Sequence, residues 1–216
     1  MSSTPSFAWS PPEEFTHRVP LSVVVLADTH VPDRFERLHP MLLSALESHT
    51  PDLILHAGDI CVPDVLNRLA TLAPVVAVRG NRDWAFRGSL PWKRDFILGG
   101  VRIALLHGHG SWPAYLLDKW QYLLNGYQLE RYRQRVLDLA PEAQVVIFGH
   151  THRPAVEWHQ GRLFLNPGSA SSGVQPDQSP SFGVLQIDGP AQVRATIHHL
   201  PTVPRKGRQW ATLSVP

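Results

Sequence analysis

One stretch, LSVVVLADTH at residues 21–30, decides the fold and points to the site. Its apolar part, residues 21–27, is rich in β-branched residues, as expected for a buried parallel strand. The polar end, Asp28-Thr29-His30, then lies just past that strand. In an extended backbone, residues two apart point to the same side, so we expect Asp28 and His30 to converge on one ion.

The segments that follow alternate between helical and strand patterns. Helical spacing of apolar residues predicts helices over residues 35–47 and 62–72. Short apolar runs predict strands over residues 52–56 and 74–78. This strand–helix–strand–helix–strand order implies parallel pairing with right-handed crossovers.

The second half of the chain follows a different pattern. Gly99-Gly100 suits a two-residue hairpin turn between two predicted strands. A mainly helical stretch is predicted over residues 113–140, with a break near Asn125-Gly126. The strands predicted in this half are residues 95–98, 101–106, 145–148, 155–159, 162–165, 182–187 and 193–199. The whole pattern predicts an α/β fold, in which two mixed β-sheets pack as a sandwich with flanking helices.

Length and composition are those of an ordinary globular domain. The 216 residues suffice for one core, and the 43% hydrophobic and 18% charged content is typical of such proteins. We expect one domain over residues 21–200 and flexible tails at residues 1–20 and 201–216. The net charge is +2 without a basic block, so no specific nucleic-acid binding is expected. Homo-oligomer formation is left open.

Several features of the sequence favour a cytoplasmic location. Cys61 is the single cysteine, which excludes an internal disulfide. Residues 1–15 lack the basic and apolar regions of a signal peptide. No apolar run approaches the roughly 20 residues that a membrane span needs. We therefore expect no membrane association.

Four further motifs of polar and imidazole side chains follow later strands. They are Gly58-Asp59, Gly80-Asn81-Arg82-Asp83, His107-Gly108-His109 and Gly149-His150-Thr151-His152. Each is common alone, but ligands of open α/β sheets gather at the carboxyl edge of the strands, where all of these fall. Oxygen and imidazole donors suit Mn, Fe, Zn or Ni. The donors suffice for two ions about 3.5–4 Å apart. The seven candidates are Asp28, His30, Asp59, Asn81, His107, His150 and His152.

In this order the motifs resemble those of the calcineurin-like metallophosphoesterases, whose pattern is D-x-H, G-D, G-N-x-[DE], H-G and G-H-x-H. The match runs over about residues 21–168. The short length and Asn166-Pro167-Gly168-Ser169 are similar to the small phosphodiesterase branch of bacteria and archaea. The resemblance implies a four-layer α/β/β/α fold and two divalent ions per chain, with Mn expected first. It also implies a hydroxide that bridges the ions and attacks phosphorus.

The resemblance further implies a role for each donor. One ion is assigned to Asp28, His30 and His152, and the other to Asn81, His107 and His150. Asp59 bridges the two. The candidates for direct participation in catalysis are Asp59, Asn81, Arg82 and His109, although a structural role for His109 is an equally open alternative.

Arg82 departs from the wider family, much of which has a histidine there. Arginine cannot donate a proton at ordinary pH but can clamp phosphate oxygens. Because a monoester with a poor leaving group gains most from a proton donor, we expect hydrolysis of phosphodiesters, of a small or nucleotide-like kind. The alternatives are a phosphomonoesterase, for example a phosphoprotein phosphatase, and a protein-binding scaffold with a vestigial metal site. A eukaryotic branch with this fold, the retromer scaffold subunit, exemplifies the latter.

Residues 111–141 look longer than the small branch usually carries. Their aromatic and arginine side chains suit a lid in which Trp112, with Trp84, stacks on substrate. They also suit an amphipathic helical pair that covers the sheet or forms a dimer face, and this is the interpretation we favour. We expect Asp83 to orient a neighbouring ligand or cap its turn, and Cys61 to be a buried filler.

Overall fold

The computed structural model describes residues 11–86, 88–110, 129–172 and 178–211. Its helices are α1 (Leu42–Glu47), α2 (Pro63–Leu69) and α3 (Leu129–Leu139), with 3-10 turns at Glu13–Thr16 and Trp84–Phe86. Its strands are β1 (Leu21–Leu26), β2 (Leu53–His56), β3 (Val75–Ala77), β4 (Lys93–Leu98), β5 (Val101–Leu106), β6 (Val145–Phe148), β7 (Ala155–His159), β8 (Arg162–Asn166), β9 (Ser181–Gly189), β10 (Gln192–His199), β11 (Arg205–Lys206) and β12 (Gln209–Trp210). No described helix has the length and apolar character needed to cross a membrane.

Two mixed sheets of five strands make up the body of the molecule. The first has the order β10-β9-β1-β2-β3, with β1, β2 and β3 parallel and the two late strands antiparallel. The second has the order β4-β5-β6-β8-β7, with β5, β6 and β8 parallel at its centre. Gly99 and Gly100 join β4 to β5 with φ of 53° and 79°, which suits the predicted tight turn.

Side-chain alternation along the strands builds four layers. In β1, Val23 and Val25 enter the core between the two sheets, whereas Val24 and Leu26 face α1 and α2. In β6, Val145 and Ile147 join the central core, whereas Val146 and Phe148 pack near Val136 of α3. Because both faces of these strands are covered, their sequences are continuously apolar. The predicted fold class, a sandwich of two mixed sheets flanked by helices, is confirmed.

The first predicted helix is much shorter than residues 35–47. Only Leu42–Glu47 is helical. Pro40 lacks an N–H and disfavours helical backbone at the residue before it, so the helix cannot extend through this point. Phe35 and Leu38 are nevertheless buried, which explains their helix-like spacing.

Apolar side chains from both predicted tails pack against the body of the molecule. Phe15 is only 4% exposed in the central core, and its carbonyl accepts a hydrogen bond from Gly99 N–H. Trp210 stacks on Phe35 with ring centroids 4.5 Å apart. The helix break predicted near Asn125-Gly126 lies outside the described residues.

Candidate metal centre

The motif residues lie in the loops directly after strands β1, β2, β3, β5 and β6, at one edge of the sandwich. The sequence placed them there, and the structure brings their side chains together in two adjoining groups. Both groups are largely buried.

The first group contains Asp28, His30 and His152. His30 Nε2 lies 3.0 Å from His152 Nε2 and 3.7 Å from Asp28 Oδ1, and His152 Nε2 lies 3.3 Å from that oxygen. Asp28 Oδ2 accepts a hydrogen bond from His150 N–H, while the buried Oδ1 has no hydrogen-bond partner among the described residues. Two imidazole nitrogens and an unpartnered carboxylate oxygen thus converge on one point.

The second group lies around Asp59 and His107. His107 Nε2 is 3.4 Å from Asp59 Oδ1 and 3.2 Å from Asn81 Oδ1. The other oxygen of the same carboxylate, Oδ2, lies 3.7 Å from His30 Nε2 in the first group. The ring of His150 is edge-on to His107 with centroids 5.1 Å apart. Asp59 therefore presents one oxygen to each group.

The electrostatics of the two groups differ. Burial lowers the pKa of His30 to about 4, and burial together with the charge of His107 lowers the pKa of His150 to about 3. These two imidazoles are therefore neutral at physiological pH. Burial also acts to lower the pKa of His107, but the attraction of Asp59 and its hydrogen bond outweigh burial and raise that pKa to about 9. The buried carboxylates thus favour a positive charge at this point.

The backbone at the donors is not extended, so our reason for expecting convergence within Asp28-Thr29-His30 was wrong. Asp28 and His30 have φ of 55° and 50°, in the left-handed region. Asp59, His150 and His152 share this conformation, with φ of 57°, 70° and 56°. Such backbone is costly for residues other than glycine and clusters at functional sites. Left-handed turns, rather than strand pleating, aim these side chains.

Asp83 supports the loop that carries Asp59. Its carboxylate oxygens accept hydrogen bonds from four backbone N–H groups, those of Asp59, Ile60, Cys61 and Gly80, at 2.6–2.9 Å. Burial raises the pKa of the Asp83 carboxyl, while the N–H groups of Gly80 and Cys61 act in the opposite direction. Asp83 thereby holds the second and third motifs against each other, as a residue that orients a neighbouring donor should.

Residues after β8 support the first group, a role that the sequence analysis missed. The hydroxyls of Ser169 and Ser171 donate to the Asp28 carbonyl at 2.8 and 3.0 Å. Asn166 Nδ2 donates to the Gly149 carbonyl at 3.1 Å. The segment Asn166-Pro167-Gly168-Ser169 could have indicated this role, but the sequence analysis used it only to assign the chain to a branch of the family.

Arg82 lies at the exposed rim of the site. Its guanidinium donates to Asp33 Oδ2 at 3.0 Å, and its N–H donates to Asp59 Oδ1 at 2.8 Å. Asp33, His30 and Cys61 form a third group of possible donors that the sequence analysis did not identify. Burial and the nearby carboxylates raise the pKa of the Cys61 thiol. Because a cysteine ligand must be a thiolate, this third group is a poor metal site.

His109 and Trp92 adjoin the second group. Their ring centroids are 4.7 Å apart, and His109 lies 5.3 Å from His107. Burial, followed by the charge of His107, lowers the pKa of His109 to about 3. Trp92 is 43% exposed and the Arg79 guanidinium covers one of its faces at 3.9 Å. Trp92 was not identified from the sequence, and Trp112 lies outside the described residues.

A family model for the calcineurin-like phosphoesterase superfamily domain matches residues 21–189. The chain belongs to this superfamily. The resemblance drawn from the five motifs is thereby confirmed.

Individual relatives of this calcineurin-like phosphoesterase support the same family assignment. It is 38% identical over 165 residues to a probable metallophosphoesterase of Methanothermobacter thermautotrophicus, covering 76% of this chain and 85% of the relative. It is 33% identical to a probable metallophosphoesterase of Methanocaldococcus jannaschii, covering 67% of this chain and 66% of that relative. Among solved structures, Vps29 of Entamoeba histolytica, complexed with Zn²⁺, aligns with a TM-score of 0.58 at 28% identity, covering 83% and 99% of the two chains.

The residues of this calcineurin-like phosphoesterase fit divalent metal ions. The unpartnered Asp28 Oδ1 faces two imidazole nitrogens, and an uncompensated buried carboxylate oxygen is costly without a cation. His107 Nδ1 lies 2.7 Å from the Ala57 carbonyl, a contact that directs Nε2 toward Asp59 and Asn81. Fixing one imidazole nitrogen on a backbone carbonyl is common for histidines that bind metal.

Proposed function

We propose that this calcineurin-like phosphoesterase hydrolyses phosphodiesters at a centre of two divalent transition-metal ions. One observation carries the proposal: the two oxygens of Asp59 face two separate groups of donors, at 3.4 Å and 3.7 Å. A carboxylate in that position can hold two ions at the short separation that two-metal hydrolysis uses. Mn is the ion we expect first, with Fe, Zn or Ni as substitutes.

Each side chain of the centre is assigned as a ligand of one ion or of both. Asp59 would bridge the two ions, and the others would hold one ion each: Asp28, His30 and His152 the first, and Asn81, His107 and His150 the second. When bound, the ions supply an acidified water and neutralise charge on the phosphoryl oxygens. The buried imidazoles of His30 and His150 are unprotonated at neutral pH because their pKa values are lowered, so metal binding there does not compete with protonation.

Arg82 favours diesters over monoesters. Its guanidinium at the exposed rim can pair with a phosphoryl oxygen in exchange for Asp33. It cannot protonate a leaving group at neutral pH. We assign His109, which is neutral and adjoins the rings of His107 and His150, to contact with the substrate. We therefore assign substrates whose leaving group departs without a strong proton donor.

Metal removal and replacement test the proposal. Protein treated with a chelator should be inactive on bis(p-nitrophenyl) phosphate, and added Mn²⁺ should restore cleavage. Asp59→Asn should abolish the restored activity and reduce bound metal below two per chain. Asp95→Asn, at an exposed carboxylate of β4, should leave both unchanged. Failure of Mn, Fe, Zn and Ni alike to restore cleavage would contradict the proposal.

A matched pair of substrates distinguishes phosphodiester hydrolysis from phosphomonoester hydrolysis. The Mn-loaded enzyme should cleave bis(p-nitrophenyl) phosphate with a higher kcat/KM than p-nitrophenyl phosphate. A monoester preference of about tenfold, corresponding to about 1.4 kcal/mol in transition-state binding, would reverse the assignment and leave the metal centre in place.

A protein-binding function is the second candidate, because Vps29 proteins, named for vacuolar protein sorting, are among the structural neighbours. Against a purely structural role, all seven donor positions hold residues able to bind metal, and their side chains adjoin. Two results together would favour the scaffold. A partner protein would bind the wild type and Asp59→Asn equally well, and the wild type would show no hydrolysis with any of the metals. The cytoplasmic location and the small or nucleotide-like substrate stay predictions.

A further inference from the structure

A second cavity lies at the junction of three chain segments that are distant in sequence. It has a volume of about 660 Å³, within the range of small-molecule sites. Its walls come from the loop after β1, the loop after β8 and the hairpin of β11 and β12. Among its lining residues are Arg34, Ser171, Arg205, Arg208 and Trp210.

All charged side chains among the described residues of this cavity are basic. Three guanidinium groups line it, and none of its described lining residues is Asp or Glu. Some exposed arginines elsewhere have carboxylate partners, as Arg18 has in Asp52 and Arg194 in Asp188. Arg34, Arg205 and Arg208 have no ion pair within the described part of the chain. Three like charges around one cavity repel each other unless an anion lies between them.

The arginines stand on fixed backbone. Trp210 stacks on Phe35, and its indole N–H donates to the Arg37 carbonyl at 3.0 Å. The Arg208 carbonyl accepts a hydrogen bond from Glu36 N–H at 3.0 Å. The hairpin is therefore tied to the loop after β1 at its turn and at β12, which fixes its arginines in the wall of the cavity that Arg34 also lines. Such preorganisation lowers the entropic cost of binding a ligand.

We infer that this cavity binds a small polyanion that carries two or more phosphoryl groups. Planar guanidinium groups match phosphoryl oxygens bidentately, and three of them neutralise more charge than one phosphate has. A volume of about 660 Å³ also leaves room for more than one phosphoryl group. The site is separate from the metal centre, although Ser171 lines the cavity and donates to the Asp28 carbonyl. The inference does not depend on the proposed hydrolysis.

Calorimetric titration of inorganic tripolyphosphate into metal-free protein tests the inference, at about 150 mM salt to screen exposed charges. We expect saturable binding with one site per chain and a Kd below about 1 mM. Arg205→Gln with Arg208→Gln should weaken binding by at least about tenfold. The control with the same change in charge, Arg18→Gln with Arg194→Gln, should bind like the wild type.

Four results would overturn the inference. The first is the absence of saturable binding, and the second is an equal loss in the control variant, which would show general charge attraction. The third is a comparable loss in Arg82→Gln with Arg205 and Arg208 intact, which would place the anion at the metal centre. Citrate binding as tightly as tripolyphosphate would overturn the assignment to phosphoryl groups. Because no metal is present, these results are independent of any test of hydrolysis.

Discussion

An alanine in place of Gly80 pushes directly on the carboxylate that faces both groups of donors. A Cβ built on Gly80 would lie 2.2 Å from Asp59 Oδ1 and 2.5 Å from Asp59 N. Ordinary contact at such a Cβ begins at 3.4 Å. The carboxylate oxygen therefore has to move by about 1.2 Å, or the two loops have to separate.

The size of the effect follows from that displacement. A misplacement of about 1 Å in a catalytic constellation costs on the order of 100-fold in rate. Overpacking a buried contact costs about 1–3 kcal/mol of folding stability. We expect Gly80→Ala to lower kcat on bis(p-nitrophenyl) phosphate by about 100-fold. Bound Mn should fall below two per chain while the protein stays folded.

Gly189→Ala is the matched control, because a Cβ there would meet no atom within 4 Å. Kinetics, metal analysis and urea unfolding of the two variants form one experiment. A Gly80→Ala variant with wild-type kcat and two bound ions would refute the reasoning, since it would show that the position of Asp59 is not critical. Equal losses in both variants would refute it as well.

Three further predictions concern the surroundings of the centre. Asp83→Asn replaces one accepting oxygen by an amide that cannot accept from two N–H groups, so the free energy of unfolding in urea should fall by at least about 2 kcal/mol; an unchanged midpoint would contradict this. Trp92→Ala should raise KM for an aryl diester several-fold with little change in kcat, whereas Trp158→Ala, 61% exposed on β7, should change neither. Metal removal should lower the melting temperature of the wild type, and an unchanged value would show that no ion bridges the loops.

The sequence predicted the fold because the strands are covered on both faces. Continuous apolar runs such as β1 and β6 are visible in the sequence without knowledge of the strands that they pair with. The candidate metal donors come directly after these runs. Helix boundaries were predicted less accurately. Phe35 and Leu38 lie in a loop, but both are buried and their spacing is the same as in a helix. The local pattern reports burial, and only Pro40 signalled that the backbone is not helical there.

Contacts between distant segments could not be predicted in the same way. Trp92 meets His109 from the segment before β4, and Asp33 meets Arg82 across 49 positions of chain. The terminal hairpin returns to Phe35 through Trp210. No spacing in the sequence encodes these pairings, because they depend on how the loops cross at the edge of the sheets.

The left-handed backbone at the donors links the site to its supporting residues. Five donors, Asp28, His30, Asp59, His150 and His152, adopt a conformation that costs on the order of 1 kcal/mol or more each. That conformation persists only where other interactions fix it. The four N–H bonds to Asp83 fix the Asp59 loop, and the two serine hydroxyls on the Asp28 carbonyl fix the first. Loss of these supports should therefore relax the donor loops and weaken metal binding while the sheets, whose cores lie elsewhere, remain folded.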